Sequence, residues 1–185
     1  MIPTSRNFNG KSTVEAEGKT FYRSYEFVEI GKHRLKIKII SVNSPYRQGL
    51  AFSFSKDPKF KGSLDINGKR FVPEKRNLSY VLPVSFPDDV EFILDLNIEN
   101  GSFYLSNASD YLDDYPELVE QISRQTGRSR DQFRGCSYTS GLSGYSSGNA
   151  FWIEALSEMC NRFYCNDHEM DDDFNDLIFD LEICQ

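Results

Sequence analysis

The carboxyl-terminal stretch HEMDDDFNDLIFDLEI (168–183) concentrates acidic residues just before an apolar segment. Carboxylates on neighbouring residues repel one another unless a positive charge lies between them. Asp171, Asp173 and Asn175 are spaced by two, so their oxygen atoms can converge in an extended or turning backbone. Oxygen ligands are what a hard cation such as calcium requires. We therefore predict Ca²⁺ as a cofactor, with Asp171, Asp173, Asn175 and Asp176 as its ligands.

The same residues also have a metal-free interpretation. Asp173, Asn175 and Asp176 could cap a turn by accepting backbone N–H groups. An EF-hand is excluded, because a loop that starts at Asp171 has Asp176 in the sixth position, where that motif needs glycine. Phe174 is predicted to belong to the core in either case.

Two further motifs point only weakly to chemistry. GYSSG (144–148) matches the nucleophile elbow of serine hydrolases, but that motif needs a strand-to-helix turn in an α/β sheet, and the surroundings here resemble antiparallel β-structure. CNRFYCNDH offers Cys160, Cys165 and His168 as zinc ligands without a second Cys or His pair nearby. With Cys136 and Cys184, these thiols could be free or form one or two disulfides.

Aromatic residues are a second group of candidate ligand contacts. Exposed aromatic side chains beside polar loops can bind the apolar face of a sugar, and Tyr138, Tyr145 and Trp152 are the candidates here. Trp152 lies between Phe151 and Ile153, which favours packing inside a sandwich core. Both roles stay open for Trp152.

The elements that must position these residues are mainly strands. In GKHRLKIKIISV, apolar Leu35, Ile37 and Ile39 alternate with cations, which predicts a half-buried antiparallel strand. Asn67-Gly68 separates two short runs and favours a type I′ hairpin turn. Alternation after the acids predicts a terminal strand, with Leu177, Phe179, Leu181 and Ile183 toward the core and Asp180 and Glu182 away from it.

One segment departs from the strand pattern. DDYPELVEQISRQTG has Asp114 as an N-cap, apolar residues at helical spacing and Gly127 as a stop. We predict an all-β, mainly antiparallel fold, a β-sandwich or jelly-roll-like domain over residues 1–185, with one short inserted helix near 114–126.

Charge and hydropathy exclude some classes of function. The chain has a net charge of −7 and a pI of about 4.9, which disfavours nonspecific nucleic-acid binding. The first 76 residues are basic and the remainder strongly acidic, so we expect some pairing between the two halves. No apolar run reaches the roughly 20 residues of a membrane span, and the amino terminus lacks the apolar region of a secretory signal.

DDDFNDLIFDLEI is similar to the signature D-x-D-[FY]-N-D-[LV]-[IV]-F, which closes a family of small bacterial β-domains of unknown function. The matching residues are Asp171, Asp173, Phe174, Asn175, Asp176, Leu177, Ile178 and Phe179. The match covers the last dozen or so residues, or about the last 35 if GNAFWIEAL corresponds to the aromatic strand of that family. The resemblance implies a β-sandwich with a calcium-associated acidic loop, in an extracellular or cell-surface setting near adhesive or carbohydrate-binding modules.

Two classes of function follow. The first is a calcium-binding recognition module, carbohydrate-binding or adhesive, with a sugar as its partner. The second is a protein-interaction or structural module without metal, whose acidic face binds a basic partner or another copy of the chain. A hydrolase is the weaker alternative, and the sequence favours a protein that is not an enzyme.

Overall fold

The computed structural model describes residues 12–44, 47–55, 61–71, 79–84, 90–110, 116–127, 129, 145–147, 150–166 and 173–184. These ranges contain fourteen strands and one helix. The strands of the first half are β1 (Thr13–Ala16), β2 (Lys19–Tyr22), β3 (Tyr25–Phe27), β4 (Gly31–Val42), β5 (Arg47–Phe54), β6 (Lys61–Ile66) and β7 (Lys69–Phe71). Those that follow are β8 (Ser79–Pro83), β9 (Glu91–Asn100), β10 (Phe103–Asp110), β11 (Tyr145–Ser147), β12 (Phe151–Ser157), β13 (Cys160–Cys165) and β14 (Leu177–Cys184), and the helix is α1 (Pro116–Thr126).

The strands form two antiparallel sheets that pack in a sandwich-like arrangement. Sheet A has the order β1-β2-β12-β13-β14-β4-β9-β6-β7, and sheet B has the order β11-β10-β5-β8, with β3 also paired to β10. The terminal strand β14 is in the middle of sheet A, between β13 and β4. The predicted mainly antiparallel β-fold with one short helix is therefore confirmed.

Alternation along the strands produces the main core. Leu35, Ile37 and Ile39 are buried on β4, as predicted, and they pack with the inward residues of sheet B. Phe163 on β13 joins the two sheets, because it stacks on Phe179 at a centroid distance of 4.6 Å and meets Tyr25 of β3 edge-on at 5.4 Å. Each sheet thus covers the apolar face of the other.

The predicted hairpin and helix are both present. Asn67 and Gly68 form a two-residue turn with φ of 48° and 83°, as a type I′ turn requires, and the Asn67 Oδ1 atom accepts the Ile93 N–H at 2.8 Å. Helix α1 ends where Gly127 adopts φ of 68° and its N–H donates to the Ser123 carbonyl. The predicted N-cap, Asp114, lies outside the described residues.

Ion pairs join basic and acidic segments on the outer face of sheet A, the face away from sheet B. Lys36 contacts Glu182 at 2.9 Å and Arg34 contacts Asp95 at 3.4 Å. Arg162 donates two hydrogen bonds, of 2.7 and 3.0 Å, to the Asp180 carboxylate. Asp180 and Glu182 therefore point away from the core, as predicted, and the two halves of the chain do pair. Exposed pairs of this kind contribute at most about 1 kcal/mol each.

Candidate functional site

The acidic loop, residues 171–176, precedes β14 and is described from Asp173 onward. Its backbone is held by Asn43 at the end of β4. The Asn43 N–H donates to the Asp176 carbonyl and the Asn43 Nδ2 atom donates to the Asn175 carbonyl, both at 3.1 Å. The loop is therefore fixed to the middle of sheet A by hydrogen bonds between residues that are far apart in the sequence.

Hydrogen bonds inside the loop resemble the predicted turn cap. The Asn175 N–H donates to Asp173 Oδ1 at 3.2 Å, and Asn175 Nδ2 donates to Asp173 Oδ2 at 2.6 Å. Each carboxylate oxygen can accept more than one bond, so this turn leaves acceptor capacity on Asp173. The turn is thus compatible with both interpretations of the acidic residues.

Phe174 anchors the loop to the outer face of sheet A. Its ring packs on Phe21 of β2 at 5.0 Å, and the two form a small cluster with Ala150. Phe174 is buried, as predicted, but its φ of 55° lies in the left-handed region, which is a costly conformation for a bulky residue. Burial of the ring against Phe21 offsets this strain and holds Asp173 and Asn175 at the outer face.

A row of large side chains crosses the outer face beside this loop. The strand register aligns Phe21, Trp152, Tyr164 and Ile178 on β2, β12, β13 and β14. Trp152 and Tyr164 stack in parallel, with ring centroids 4.0 Å apart and an interplanar angle of 4°. Phe151 takes the inward position in the main core, so the expectation that Trp152 packs inside the sandwich is wrong.

The loop and the row together form a cleft of about 310 Å³, called here the aromatic cleft. It brings Trp152 together with Asp173 and Asn175, residues predicted separately as a sugar contact and as metal ligands. The Lys19 ammonium lies 3.7 Å from the centroid of the Trp152 ring. The residues that line the cleft are Glu17, Lys19, Phe21, Trp152, Tyr164, Asp173, Phe174, Asn175 and Ile178.

The Tyr164 hydroxyl is orientated by a neighbour on β12. It donates a hydrogen bond of 2.7 Å to Glu154 Oε2. This bond raises the pKa of Tyr164, and partial burial adds to the effect. With its proton directed to Glu154, the hydroxyl oxygen accepts a hydrogen bond from the Arg162 side chain.

A buried polar cluster lies at the base of the acidic loop. Asp176 is 3% exposed and Asn166 is 2% exposed. Asn166 follows Cys165 and Asp176 precedes Leu177, and Cys165 and Leu177 are paired, so the two buried residues lie at the same end of β13 and β14. Asn107 of sheet B is fully buried, and its Nδ2 atom donates to the Asn166 carbonyl at 2.8 Å. In the described part of the chain, the Oδ1 atoms of Asn107 and Asn166 have no hydrogen-bond partner.

These orphaned oxygens provide a test of whether the residues fit a calcium ion. An unpaired buried acceptor costs about 1–3 kcal/mol, so such atoms normally find a donor, a water molecule or a cation. Buried amide oxygens and a buried carboxylate are the kinds of oxygen ligand that calcium uses. The donor set at the base of the loop therefore fits a hard cation. The described residues contain no cluster of three His, Cys, Asp or Glu side chains suited to a metal.

The remaining predicted site residues are divided between described and undescribed regions. Asp171 and Tyr138 lie outside the described residues, as do Gly144 and Gly148 of the GYSSG motif. Tyr145 begins β11 opposite Asp110, in the other sheet from Trp152. Sequence reasoning missed Lys19, Asn107 and Asn166. For Asn166, the available sequence signal was its position directly after a strand and before the acidic residues.

The described cysteines do not form the predicted zinc site or a disulfide with one another. Cys160, Cys165 and Cys184 are free thiols. Cys165 shares the inward face of β13 with buried Phe163, whereas Cys160 lies on the opposite face with Arg162. Two thiols on opposite faces of one strand cannot ligate the same ion. His168 and Cys136 lie outside the described residues.

Burial of Cys165 predicts a loss of stability at high pH. Complete desolvation, with a smaller contribution from Asp176, raises the pKa of the Cys165 thiol well above its usual value near 9.0. The thiol therefore ionises at a lower pH in the unfolded chain than in the folded protein. The stability that is present below the pKa of the unfolded thiol is lost as the pH rises above it. We expect the free energy of unfolding to fall by about 1.4 kcal/mol per pH unit above pH ~9 through this group. Denaturant unfolding of wild type and Cys165→Ala from pH 7 to 10 measures this fall. An equal dependence of the unfolding free energy on pH in the two proteins would contradict the prediction.

A second, larger cleft of about 760 Å³ lies farther along the outer face. The register aligns Arg34, Asp95, Asp65 and Arg70 across it, so two directly opposed aspartates are flanked by cations. Arg34 and Asp95 are both more than half exposed. The two flanking cations balance the charge of the two aspartates, which is the pattern of a solvated ion-pair surface.

Comparison with family models, curated proteins and solved structures finds no match to this chain. The resemblance of the acidic motif to a bacterial β-domain family thus stays a prediction. No helix among the described residues is long and apolar enough to cross a membrane. What is established is an antiparallel β-sheet domain with an aromatic cleft on the outer face of its larger sheet.

Proposed function

We propose that the protein is a calcium-dependent carbohydrate-binding module and that the aromatic cleft is its ligand site. One observation carries the proposal: the stacked pair Trp152 and Tyr164 shares a cleft with Asp173 and Asn175 of the acidic loop. Aromatic surfaces cover the apolar face of a sugar ring, and carboxylate and amide groups bind its hydroxyls. Small-molecule sites combine these two elements, usually in volumes of about 300–1,000 Å³.

Calcium has a positioning role in this proposal. Asp173 and Asn175 belong to the same loop as Asp176, which is buried at the strand end where Asn166 follows β13. An ion held by Asp176 and the amide oxygens of Asn166 and Asn107 would fix the base of the loop. The loop would then present Asp173 and Asn175 to the cleft with less conformational freedom to lose on binding.

A glycan array, probed with wild type and Trp152→Ala in calcium and in chelator, tests this function. We expect wild type to bind a defined set of glycans in calcium. Binding should weaken at least tenfold in chelator and disappear in Trp152→Ala. The matched control is Tyr104→Ala, which removes an aromatic residue of sheet B whose hydroxyl bonds Glu26, outside the cleft. Glycan binding that survives Trp152→Ala would contradict the proposed site.

The alternative is a protein-interaction module. Val28 and Ile30, between β3 and β4, are 65% and 64% exposed. Large apolar side chains at such exposure mark contact surfaces when they cluster. A blank glycan array in both calcium and chelator would make this alternative the leading function.

A further inference from the structure

The Lys19 side chain occupies the open face of Trp152. Lys19 begins β2 directly after the tight turn at Glu17 and Gly18, and its ammonium lies 3.7 Å from the ring centroid. The opposite face of Trp152 is covered by Tyr164. A ligand that uses the indole face must therefore take the position of the Lys19 ammonium. Lys19 is exposed, and cation–π contacts at exposed sites are weak enough for a ligand to displace them.

Charge in the cleft favours a cationic replacement. Among the residues described as lining it, Lys19 carries the only positive charge, while Glu17 and Asp173 each carry a negative one. Displacement of Lys19 by a neutral group would remove this positive charge from a lining that also carries the Glu17 and Asp173 carboxylates. A ligand ammonium in the same position would restore both the cation–π contact and the charge balance.

Hydrogen-bonding capacity in the cleft points the same way. The Glu17 and Asp173 carboxylates that line it are hydrogen-bond acceptors. A cleft rich in acceptors selects a ligand rich in donors. An ammonium group supplies three N–H donors from a single position.

We propose that the aromatic cleft recognises amino sugars with a free, protonated amine, whose ammonium replaces that of Lys19 over Trp152. This inference rests on the proposed carbohydrate-binding function and names its ligand class. The cleft volume of about 310 Å³ is at the lower end for small-molecule sites, which suits a ring-sized group. An N-acetylated sugar lacks the positive charge and is the natural comparison.

Trp152 is the single tryptophan of the chain, so its fluorescence reports directly on this cleft. Wild type in calcium is titrated with glucosamine, N-acetylglucosamine and glucose oligomers of equal length at pH 6. We expect the glucosamine oligomer to change the fluorescence and to bind at least tenfold more tightly than the other two. Calorimetry of wild type and Trp152→Ala with the same oligomers provides a readout that does not depend on tryptophan.

Two variants test the role of charge. Lys19→Met keeps the apolar stem and removes the competing ammonium, so the glucosamine oligomer should bind about two- to fivefold more tightly. Glu17→Gln combined with Asp173→Asn should weaken glucosamine binding about tenfold or more and weaken binding of the glucose oligomer to a smaller extent.

The outcomes separate this inference from the proposed function. Equal or tighter binding of the neutral oligomers overturns the ammonium assignment and leaves carbohydrate binding intact. Binding of none of the three, together with a positive glycan array, also overturns the ammonium assignment alone. A blank array with no calorimetric signal overturns both. A lysine-containing peptide that changes the fluorescence when no glycan does would replace the sugar with a protein ligand.

Discussion

Replacement of Phe163 by alanine is expected to lower the free energy of unfolding by about 4 kcal/mol, because large-to-small changes of a buried Phe cost about 3–5 kcal/mol. Phe163 is fully buried and contacts the rings of Phe179, Phe151 and Tyr25. Tyr25 belongs to sheet B and the other three residues to sheet A, so the cavity would open where the sheets meet.

Equilibrium denaturation in urea measures this effect, and Phe163→Leu is the matched control. Leucine keeps most of the buried volume and should cost less than half as much as alanine. The slope of the unfolding free energy against denaturant should remain unchanged in both variants. A cost below about 1 kcal/mol for Phe163→Ala would mean that the two sheets do not depend on this contact for a shared core.

The fold was predictable because most of its elements are specified locally. Alternation at Leu35, Ile37 and Ile39 identified a core-facing strand, since side-chain direction has a period of two. Asn67-Gly68 identified a hairpin because few other dipeptides adopt positive φ at both positions at low cost. In these cases the residue and its immediate neighbours contain the necessary information.

The outer-face location of Trp152 was harder to predict. Phe151, Trp152 and Ile153 are consecutive apolar residues, so alternation cannot decide which of them faces the core. The decision comes from pairing: Phe151 is opposite Tyr22 and Trp152 is opposite Phe21, in a strand more than 120 residues earlier. Only the assembled sheet shows that Phe21 and Phe174 form a separate cluster on the outer face.

The candidate site depends on partners that are distant in sequence. Lys19 reaches Trp152 from the first hairpin, and Asn43 holds the acidic loop from the end of β4. No spacing rule connects these residues, because the contacts arise from strand order and not from local periodicity. The acidic loop itself was identifiable, since like charges at such density require a physical explanation.

Removal of the Asp176 charge is expected to abolish most of the stabilisation that calcium provides. A ligand that binds only the native state stabilises it by about 2.7 kcal/mol at 100 times its dissociation constant. Asp176→Asn keeps the shape and one oxygen but loses the anionic ligand. Each tenfold loss of calcium affinity then lowers the stabilisation by about 1.4 kcal/mol. Thermal unfolding after chelation, with calcium, magnesium or neither added, measures the shift.

Three further variants identify which oxygens hold the ion. Asn166→Ala removes an orphaned buried oxygen and should also reduce the calcium shift, whereas Asp180→Asn, which alters a surface ion pair, should preserve it. Asp173→Asn tests how far the site extends: a reduced calcium shift would indicate ligands along the loop, and an unchanged shift would indicate ligands at its base alone. Asp173 is exposed and already bonded to Asn175. Each variant is compared with its own metal-free baseline, since loss of a buried group changes stability by itself. Absence of any calcium shift in wild type at millimolar calcium would contradict the ion site and leave the acidic residues as a turn cap, in which Asp173 accepts the Asn175 N–H and Nδ2 groups.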